Sequence, residues 1–463
     1  MKGLEISEVS LKEVGFKTSD FRIDAEYFTG KFARYCLLME KCGCTYFAKE
    51  AGRAVKGAFD ITADKFRKSG VPFVRISNIR GMDIDSSSIV YIDHDVHAEY
   101  LASELRYGDI VLSKTAYAAA SIVTLQVCNT SQDTIAISLK PDSCIDPYFT
   151  VTYLNTKYGL FLMEYLFTGN IQKHFNLTEC KTKLPIPIFK KAFQESVRGL
   201  FERALILRRD ANNRYHEAEK VLLAELGFAG WSPTDDAVSV KSYSDFVSTG
   251  RFDAEYFQPR YEAIDKKIRG YHSGVMAAFD ALVPGLVNED ANTKERYVEL
   301  ADIGSNGEIS GCMSANFGEL PSRARQRIEA GQVIVSSIEG SLDKCALVTT
   351  EYDKALCSTG FHRFCSTKIN AETMLLLFKS WPIQQLMKRG CSGTILCGIL
   401  PGELSRVPLP LVDSKVQRAI ADKVQSSFAL RAESKRLLDL AKHTVELAIE
   451  QGEEKALDVI GRR

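Results

Sequence analysis

Arg22-Ile23-Asp24-Ala25-Glu26-Tyr27-Phe28 returns, with one conservative replacement, as Arg251-Phe252-Asp253-Ala254-Glu255-Tyr256-Phe257. A string this unusual, recurring half a chain length away, marks an internal duplication. The repeat runs nearly end to end. Val9-Ser10-Leu11-Lys12 lies over Val238-Ser239-Val240-Lys241, and Gly108-Asp109-Ile110-Val111-Leu112-Ser113 over Gly331-Gln332-Val333-Ile334-Val335-Ser336. Leu184-Pro185-Ile186-Pro187-Ile188 lies over Val407-Pro408-Leu409-Pro410-Leu411, and Gln194, Val197 and Phe201 fall on Gln417, Ile420 and Val424. This period is far longer than that of a solenoid repeat, so each copy is expected to be a whole domain.

The 463 residues are 45% hydrophobic, enough for two to four cored domains. No apolar run approaches the roughly 20 residues of a membrane span, and no signal-peptide segment opens the chain; a cytoplasmic protein is expected. The twelve cysteines are scattered without a CxxC pair, which predicts reduced, mostly buried thiols rather than a zinc site. A formal net charge of zero excludes an overall basic coat but leaves room for a local basic face.

Each half has two parts. The first is mixed, with β-rich runs such as Val71–Ile76 and Asp109–Ser113, then one helix predicted at Tyr148–Phe167 and mirrored at Ala371–Met387. Pro-x-Pro at 185–187 and 408–410 stops regular structure, because proline fixes φ and removes an amide donor. The second part is a long helix. Phe193, Val197, Leu200, Ala204, Leu207 and Ala211 recur in steps of four and three, as a coiled-coil seam requires. Val221, Leu222 and Leu226 continue it, with Gly227 as C-terminal cap. Val416, Ile420, Val424, Phe428, Leu437, Leu440 or Ala441, and Val445 form the second seam. At about 1.5 Å per residue each helix spans roughly 50–55 Å. Antiparallel pairing of the two would bury both seams; the alternative is that each folds back onto its own domain. The expected fold class is α+β: two pseudo-two-fold-related target domains, 1–189 and 228–413, joined by antiparallel helices at 190–227 and 414–463.

These features resemble the specificity subunit of type I restriction-modification systems, over almost the whole chain. The resemblance is carried by the two RxDAEYF strings, the Gly-Asp-Ile strand at 108–110 and its partner at 331–333. It is carried further by Asp146-Pro147-Tyr148-Phe149 with Tyr153-Leu154, and most specifically by Ser392-Gly393-Thr394-Ile395 leading through Pro408-Leu409-Pro410 to Gln417-Arg418-Ala419-Ile420. Lys114–Ala120 lacks the glycines usual in the family, and Thr168-Gly169-Asn170-Ile171 is a weaker match than its counterpart. The resemblance implies a non-enzymatic subunit that reads a bipartite double-stranded DNA target, with the helices setting the gap. It also implies two methyltransferase subunits as partners, and restriction-translocase subunits joined through them. S-adenosylmethionine, ATP and magnesium then belong to those partners, and no cofactor to this chain.

Absent motifs agree with that. There is no Asn/Asp-Pro-Pro-Tyr/Phe loop for a flipped base, no Gly-x-Gly-x-x-Gly turn and no phosphate loop; HExxH and Gly-x-Ser-x-Gly are missing too. Alternatives are the recognition part of a fused, type II-like restriction-methylation enzyme, or a free-standing duplicated DNA-binding adaptor. Reading DNA takes cations for phosphates and amide, hydroxyl or guanidinium groups for base edges. The residues expected to supply them are Arg75, Asn78, Arg80, Lys114, Tyr117, Gln172 and Lys173 in the first half. In the second they are Arg323, Arg325, Arg327, Arg363, Arg389 and Thr394. Each has a bland reading as part of a solvated face. The RxDAEYF strings are expected to link each domain to a helix end, with methyltransferase contact as the alternative. Arg208, Arg209, Glu217, Glu219 and Lys220 on the helix exterior offer a docking face.

Overall fold

Ile110-Val111-Leu112-Ser113 and Val333-Ile334-Val335-Ser336 are buried at every position, the pattern of strands covered on both faces. A computed structural model shows why. It describes residues 8, 10–12, 30–168, 173–234, 236, 238–393 and 397–461. The chain forms two units, Met1–Leu207 with Glu433–Arg463, and Arg208–Ala432.

In the first unit Ile110–Ser113 is central in a four-stranded sheet. Its antiparallel neighbours are Ala120–Ile122 and Thr134–Leu139, and Ala51–Lys56 lies beyond the latter. Side chains alternate along a strand. Ile110, Leu112, Ile135 and Ile137 therefore enter a core with Phe149, Tyr153, Phe193 and Val197. Val111 and Ala136 face the other way, onto Val74, Leu105 and Cys128 of a second sheet. In that sheet Val71–Val74 runs parallel to Val127–Thr130, with Val90–Ile92 and Leu105–Arg106 at the edges.

The second unit repeats the plan. Val333–Ser336 lies between Cys345–Leu347 and Phe361–Phe364. Val333 and Val335 enter a helix-side core, while Ile334 and Ala346 pack with Val298 and Cys357. The second sheet again holds one parallel pair, Lys294–Val298 with Leu356–Ser358, edged by Met313–Asn316 and Ala324–Arg327. Gly108 and Gly331 enter the paired strands at φ +88° and +86°, a conformation that favours glycine.

Three expectations need correction. The predicted single helix is two, Pro147–Leu154 and Lys157–Tyr165, mirrored by Ala371–Lys379 and Trp381–Gly390. Thr156 breaks the first run by extending its backbone and accepting the Gly159 amide on its side chain, an N-cap that restarts the helix. Pro382 in the first turn does the same for the second. The Pro-x-Pro segments do not end regular structure either. Ile186–Pro187 and Pro408–Pro410 are short strands paired with Cys44–Thr45 and Val275–Ala277, two-stranded edges where a missing donor is tolerated. The thiols are also less buried than expected: Cys128, Cys180, Cys345, Cys357 and Cys391 are buried, whereas Cys144 and Cys365 are exposed.

The long helices are Lys191–Glu225 and Ser414–Gln451. Gly227 caps the first at φ +69°, with Phe228 N donating to Leu223 O at 2.7 Å and Gly227 N to Ala224 O at 3.0 Å. In the first unit Phe193, Val197, Phe201 and Ala204 share a core with Leu438, Ala441, Val445 and Ala448. Ser434 Oγ donates there to Ala204 O at 2.8 Å. In the second unit Tyr215, Ala218 and Leu222 share a core with Ile420 and Val424. Ser427 Oγ donates to Ala211 O at 2.7 Å, and Lys423 Nζ meets Glu217 at 2.7 Å, so the facing positions run in opposite directions. Packing onto the domain and pairing of helices occur together. The first seam uses Phe201 where the sequence suggested Leu200, which is only partly buried.

Candidate nucleic-acid interface

Three loops of the first unit converge. The turn at Ile76–Asn78 is closed by Asn78, whose side-chain oxygen accepts the Arg75 amide at 2.9 Å and whose amide donates to Asp85 O at 2.9 Å. Tyr117, on the loop after Ile110–Ser113, donates its hydroxyl to Ile76 O at 2.6 Å. Burial raises the pKa of that phenol, and nearby Arg80 opposes the shift. Ala116 takes φ +63° to place the tyrosine. The hairpin Phe167–Thr168/His174–Phe175 joins the same loop, since Phe175 N donates to Lys114 O at 2.7 Å and Thr115 bridges His174. Arg80 and Lys173 are exposed and Arg75, Lys114 and Tyr117 half-buried on these loops. Arg75 is partly engaged, donating to Ser88 O at 2.8 Å and stacking 5.5 Å from the Phe66 ring. Asn78 is 0% exposed and its amide serves the turn. Gln172 and Thr394 lie outside the described residues.

The second unit assembles its counterparts of these loops with other side chains. Glu299 stands where Arg75 does, its amide held by Asp302 Oδ2 at 2.8 Å as Arg75 is held by Asn78. Ile338 bridges Gly398 of the hairpin Cys391–Ser392/Gly398–Ile399, Glu339 N donates to Cys397 O at 3.0 Å, and Lys344 Nζ reaches Ile303 O at 3.0 Å. A basic turn in one copy is thus acidic in the other. Glu299, Asp302 and Glu339 escape a search for basic clusters; carrying the register of the repeat through the loops would have found them.

The arginines expected in the second half divide. Arg323 is exposed. Arg325 lies 4.3 Å over the Phe317 ring. Arg327 donates to Glu295 at 2.8 Å and to Glu289 at 2.7 Å, and these hydrogen bonds, Glu295 foremost, raise its pKa. Arg363 is 6% exposed and donates to Gln326 Oε1 at 3.0 Å and Gly285 O at 2.7 Å; desolvation lowers its pKa. Arg389 donates to Tyr256 O at 3.0 Å and covers the Tyr256 ring at 4.4 Å. Arg327, Arg363 and Arg389 thus already have acceptors within the fold. Their planar donors hold the fold, and a run of arginines in sequence does not reveal which of them already have acceptors.

Arg389 also explains the second RxDAEYF string. Arg251 pairs with Asp253 at 2.6 Å, donates to Cys391 O at 3.0 Å and lies 4.9 Å from the Tyr256 ring. Glu255 accepts from Arg260 at 2.7 Å and from the Tyr261 hydroxyl. The string clamps onto the end of Trp381–Gly390 within its own unit; the first string lies outside the described residues. On the helix exterior, Glu217 is committed to Lys423 and Arg214, and Glu219 to His216 at 2.8 Å. Among the described residues no cluster of His, Cys, Asp and Glu is arranged to hold a metal ion, and no helix is long and apolar enough to cross a membrane.

No family model matches the chain, and no curated protein matches it in sequence. Solved structures do. The type I restriction-modification system S subunit from M. genitalium aligns at 12% identity over 88% of this chain and 95% of its own, with a TM-score of 0.41. A structure titled for complex assembly and conformational transition of the type I R-M system aligns at 12% identity, over 89% and 98%, with a TM-score of 0.29. The HsdS subunit from Thermoanaerobacter tengcongensis aligns at 12% identity, over 89% and 97%, with a TM-score of 0.27.

Proposed function

We propose that the chain is a DNA-sequence-recognition subunit of type I restriction-modification kind, each unit reading one part of a bipartite duplex target. The observation that carries this is the duplicated loop cluster. One scaffold presents three converging polar loops twice, with Arg75, Arg80, Lys114 and Lys173 in one copy and Glu299, Asp302 and Glu339 in the other. Conserving a scaffold while changing its loop chemistry is what reading two different sequences demands. Arg80, Lys114 and Lys173 are the phosphate and base contacts of the first unit, Arg323 and Arg325 the cationic contributions of the second. The long helices act as the spacer, and about 50 Å of helix exceeds the 34–36 Å of one DNA turn. Methyltransferase subunits supply catalysis and S-adenosylmethionine, and restriction subunits the ATP and magnesium chemistry.

The test is binding to a random duplex library, with and without a cognate methyltransferase subunit. A selected bipartite motif is expected. Arg80→Ala with Lys114→Ala should weaken binding to all sequences and reduce the slope of log K against log salt by about 0.9 per lost phosphate contact. Selection of an uninterrupted single motif, or none, overturns the reading.

A further inference from the structure

The first unit contains a cavity of about 570 Å³, within the roughly 300–1,000 Å³ of ligand clefts. It is lined by Tyr35 and Leu38 of helix Gly30–Cys42, Lys157 and Tyr158 opening helix Lys157–Tyr165, and Glu450 and Gln451 closing the second long helix. The duplication identifies the counterpart of each wall. Carried on from the heptapeptides, the register places Leu38 over Lys267, and it sets Met39 and Ile268, 1% and 2% exposed, over one another. Thr156 and Ser380 are equivalent N-caps, so Lys157 corresponds to Trp381. Gln194 and Gln417 are equivalent, so Gln451 corresponds to Phe228.

At that place the second unit is filled by its own chain. After the Gly227 cap, Phe228 and Trp231 fold over Trp381, with ring centroids 5.4 and 6.0 Å away. Lys267 Nζ stands 5.4 Å from both the Phe228 and the Trp231 ring. The first unit has the receiving half of this arrangement. Tyr35 meets Tyr158 edge-on at 4.7 Å, and Lys157 Nζ lies 5.1 Å from the Tyr158 ring while paired with Glu450 at 2.6 Å. Among the described residues the filling half is missing. Beyond Gln451 the chain turns at Gly452, φ +94°, into helix Glu453–Gly461, whose Ala456 and Leu457 join the first unit's core. None of the described residues of this segment, 452–461, is a Phe or Trp.

We infer that this cavity is a socket for an aromatic side chain of a partner polypeptide, which supplies in trans what Phe228 and Trp231 supply in cis in the second unit. The walls suit that occupant: a phenol edge on one side, a lysine for cation–π contact on the other, and an apolar floor at Leu38. The inference does not depend on the DNA-reading proposal.

The probe is a synthetic peptide of this chain's residues 225–233, Glu-Leu-Gly-Phe-Ala-Gly-Trp-Ser-Pro, carrying 5-fluorotryptophan and titrated into the full-length protein by fluorine NMR. Saturable binding is expected, lost when Phe and Trp of the peptide are replaced by alanine. Gln451→Phe, which places in cis the side chain found in the second copy, should weaken it about tenfold or more, and Tyr35→Ala should weaken it comparably. Unchanged thermal midpoints, or a raised one for Gln451→Phe, show that these variants fold. The inference is overturned by no binding at millimolar peptide, or by equal binding of the alanine peptide or to both variants. It is also overturned by a concentration-dependent dimer of the parent chain that Gln451→Phe abolishes, which would assign the socket to a second copy.

Discussion

Gln194 and Gln417 are single residues that do one job twice. Gln194 accepts the Asp146 amide at 2.7 Å and donates to Cys144 O and Phe189 O, both at 2.9 Å. Gln417 accepts the Asn370 amide at 2.7 Å and donates to Lys368 O at 3.0 Å and Val412 O at 2.8 Å. Each ties the start of a long helix to the N-cap of the domain's first core helix. Gln194→Ala would orphan three backbone groups at once, and each buried orphan costs about 1–3 kcal/mol. Chemical denaturation should therefore show Gln194→Ala and Gln417→Ala each destabilised by at least about 2 kcal/mol, allowing for access of water to part of the site. Glu50 holds the same loop from the other side, accepting from Thr45 Oγ1 at 2.7 Å and from Ser143 Oγ and the Cys144 amide at 2.9 Å. Burial pushes its pKa up, but these hydrogen bonds win and hold it at about 2, against an ordinary value of 4.5. A depressed folded-state pKa means stability is fully present above 4.5 and is lost as pH falls toward 2. Glu50→Gln should flatten that acid limb in urea titrations at stepped pH; an unaltered limb would show that Glu50 contributes nothing to it.

At the scale of elements, the second long helix is more regular than its apolar residues suggest. Ile420, Val424, Ser427, Ser434, Leu438, Ala441, Val445 and Ala448 are all buried and follow one alternation of fours and threes, with Arg431 in the intervening place. Arg431 pairs with Glu308 at 2.8 Å and donates to Asn212, which also accepts from Asn306 at 3.0 Å. A search for apolar seams skips Ser427, Arg431 and Ser434 because their inward position depends on acceptors in the facing helix or another element. The ends of the helices, the Gly227 cap and the strands of the repeat were legible, since those follow from local periodicity and backbone sterics. The break at Thr156 was not, because a threonine in an apolar run signals a cap only once its neighbours' amides are placed. The small residues opposite the serines carry the next prediction. Ala211 O takes the Ser427 hydroxyl directly, which requires close backbones. Ala211→Leu should separate them and cost about 1–3 kcal/mol by overpacking. Ser427→Ala should cost only about 1 kcal/mol, the net worth of one hydrogen bond. Equal losses in thermal unfolding would mean that spacing is not the constraint.

For the whole molecule, the duplication makes a prediction that composition alone does not. Of the candidate set, the cationic loops of the first unit were visible as sequence clusters, whereas the internal acceptors of Arg327, Arg363 and Arg389 were not. Their acceptors come from distant segments, and no local pattern announces them. On the proposed function, the acidic counterparts Glu299 and Glu339 would make the second unit depend less on phosphate attraction and more on positioned donors and acceptors. If the proposed function holds, exchanging residues 1–189 for those of a homologue with another target should replace one half of the recognised motif and preserve the other. Inserting one heptad into both long helices, at a matched level, should keep both halves and change only the gap, because a heptad restores the seam phase. A two-residue insertion should instead rotate the seam by about half a turn, at roughly 100° per residue, and impair folding. Motif profiling of the methylated genome, with the cognate methyltransferase present, reads all three outcomes. A swap that altered both halves would mean that the two readers are not independent, and a heptad insertion that altered base preference at constant gap would remove the spacer role from the helices.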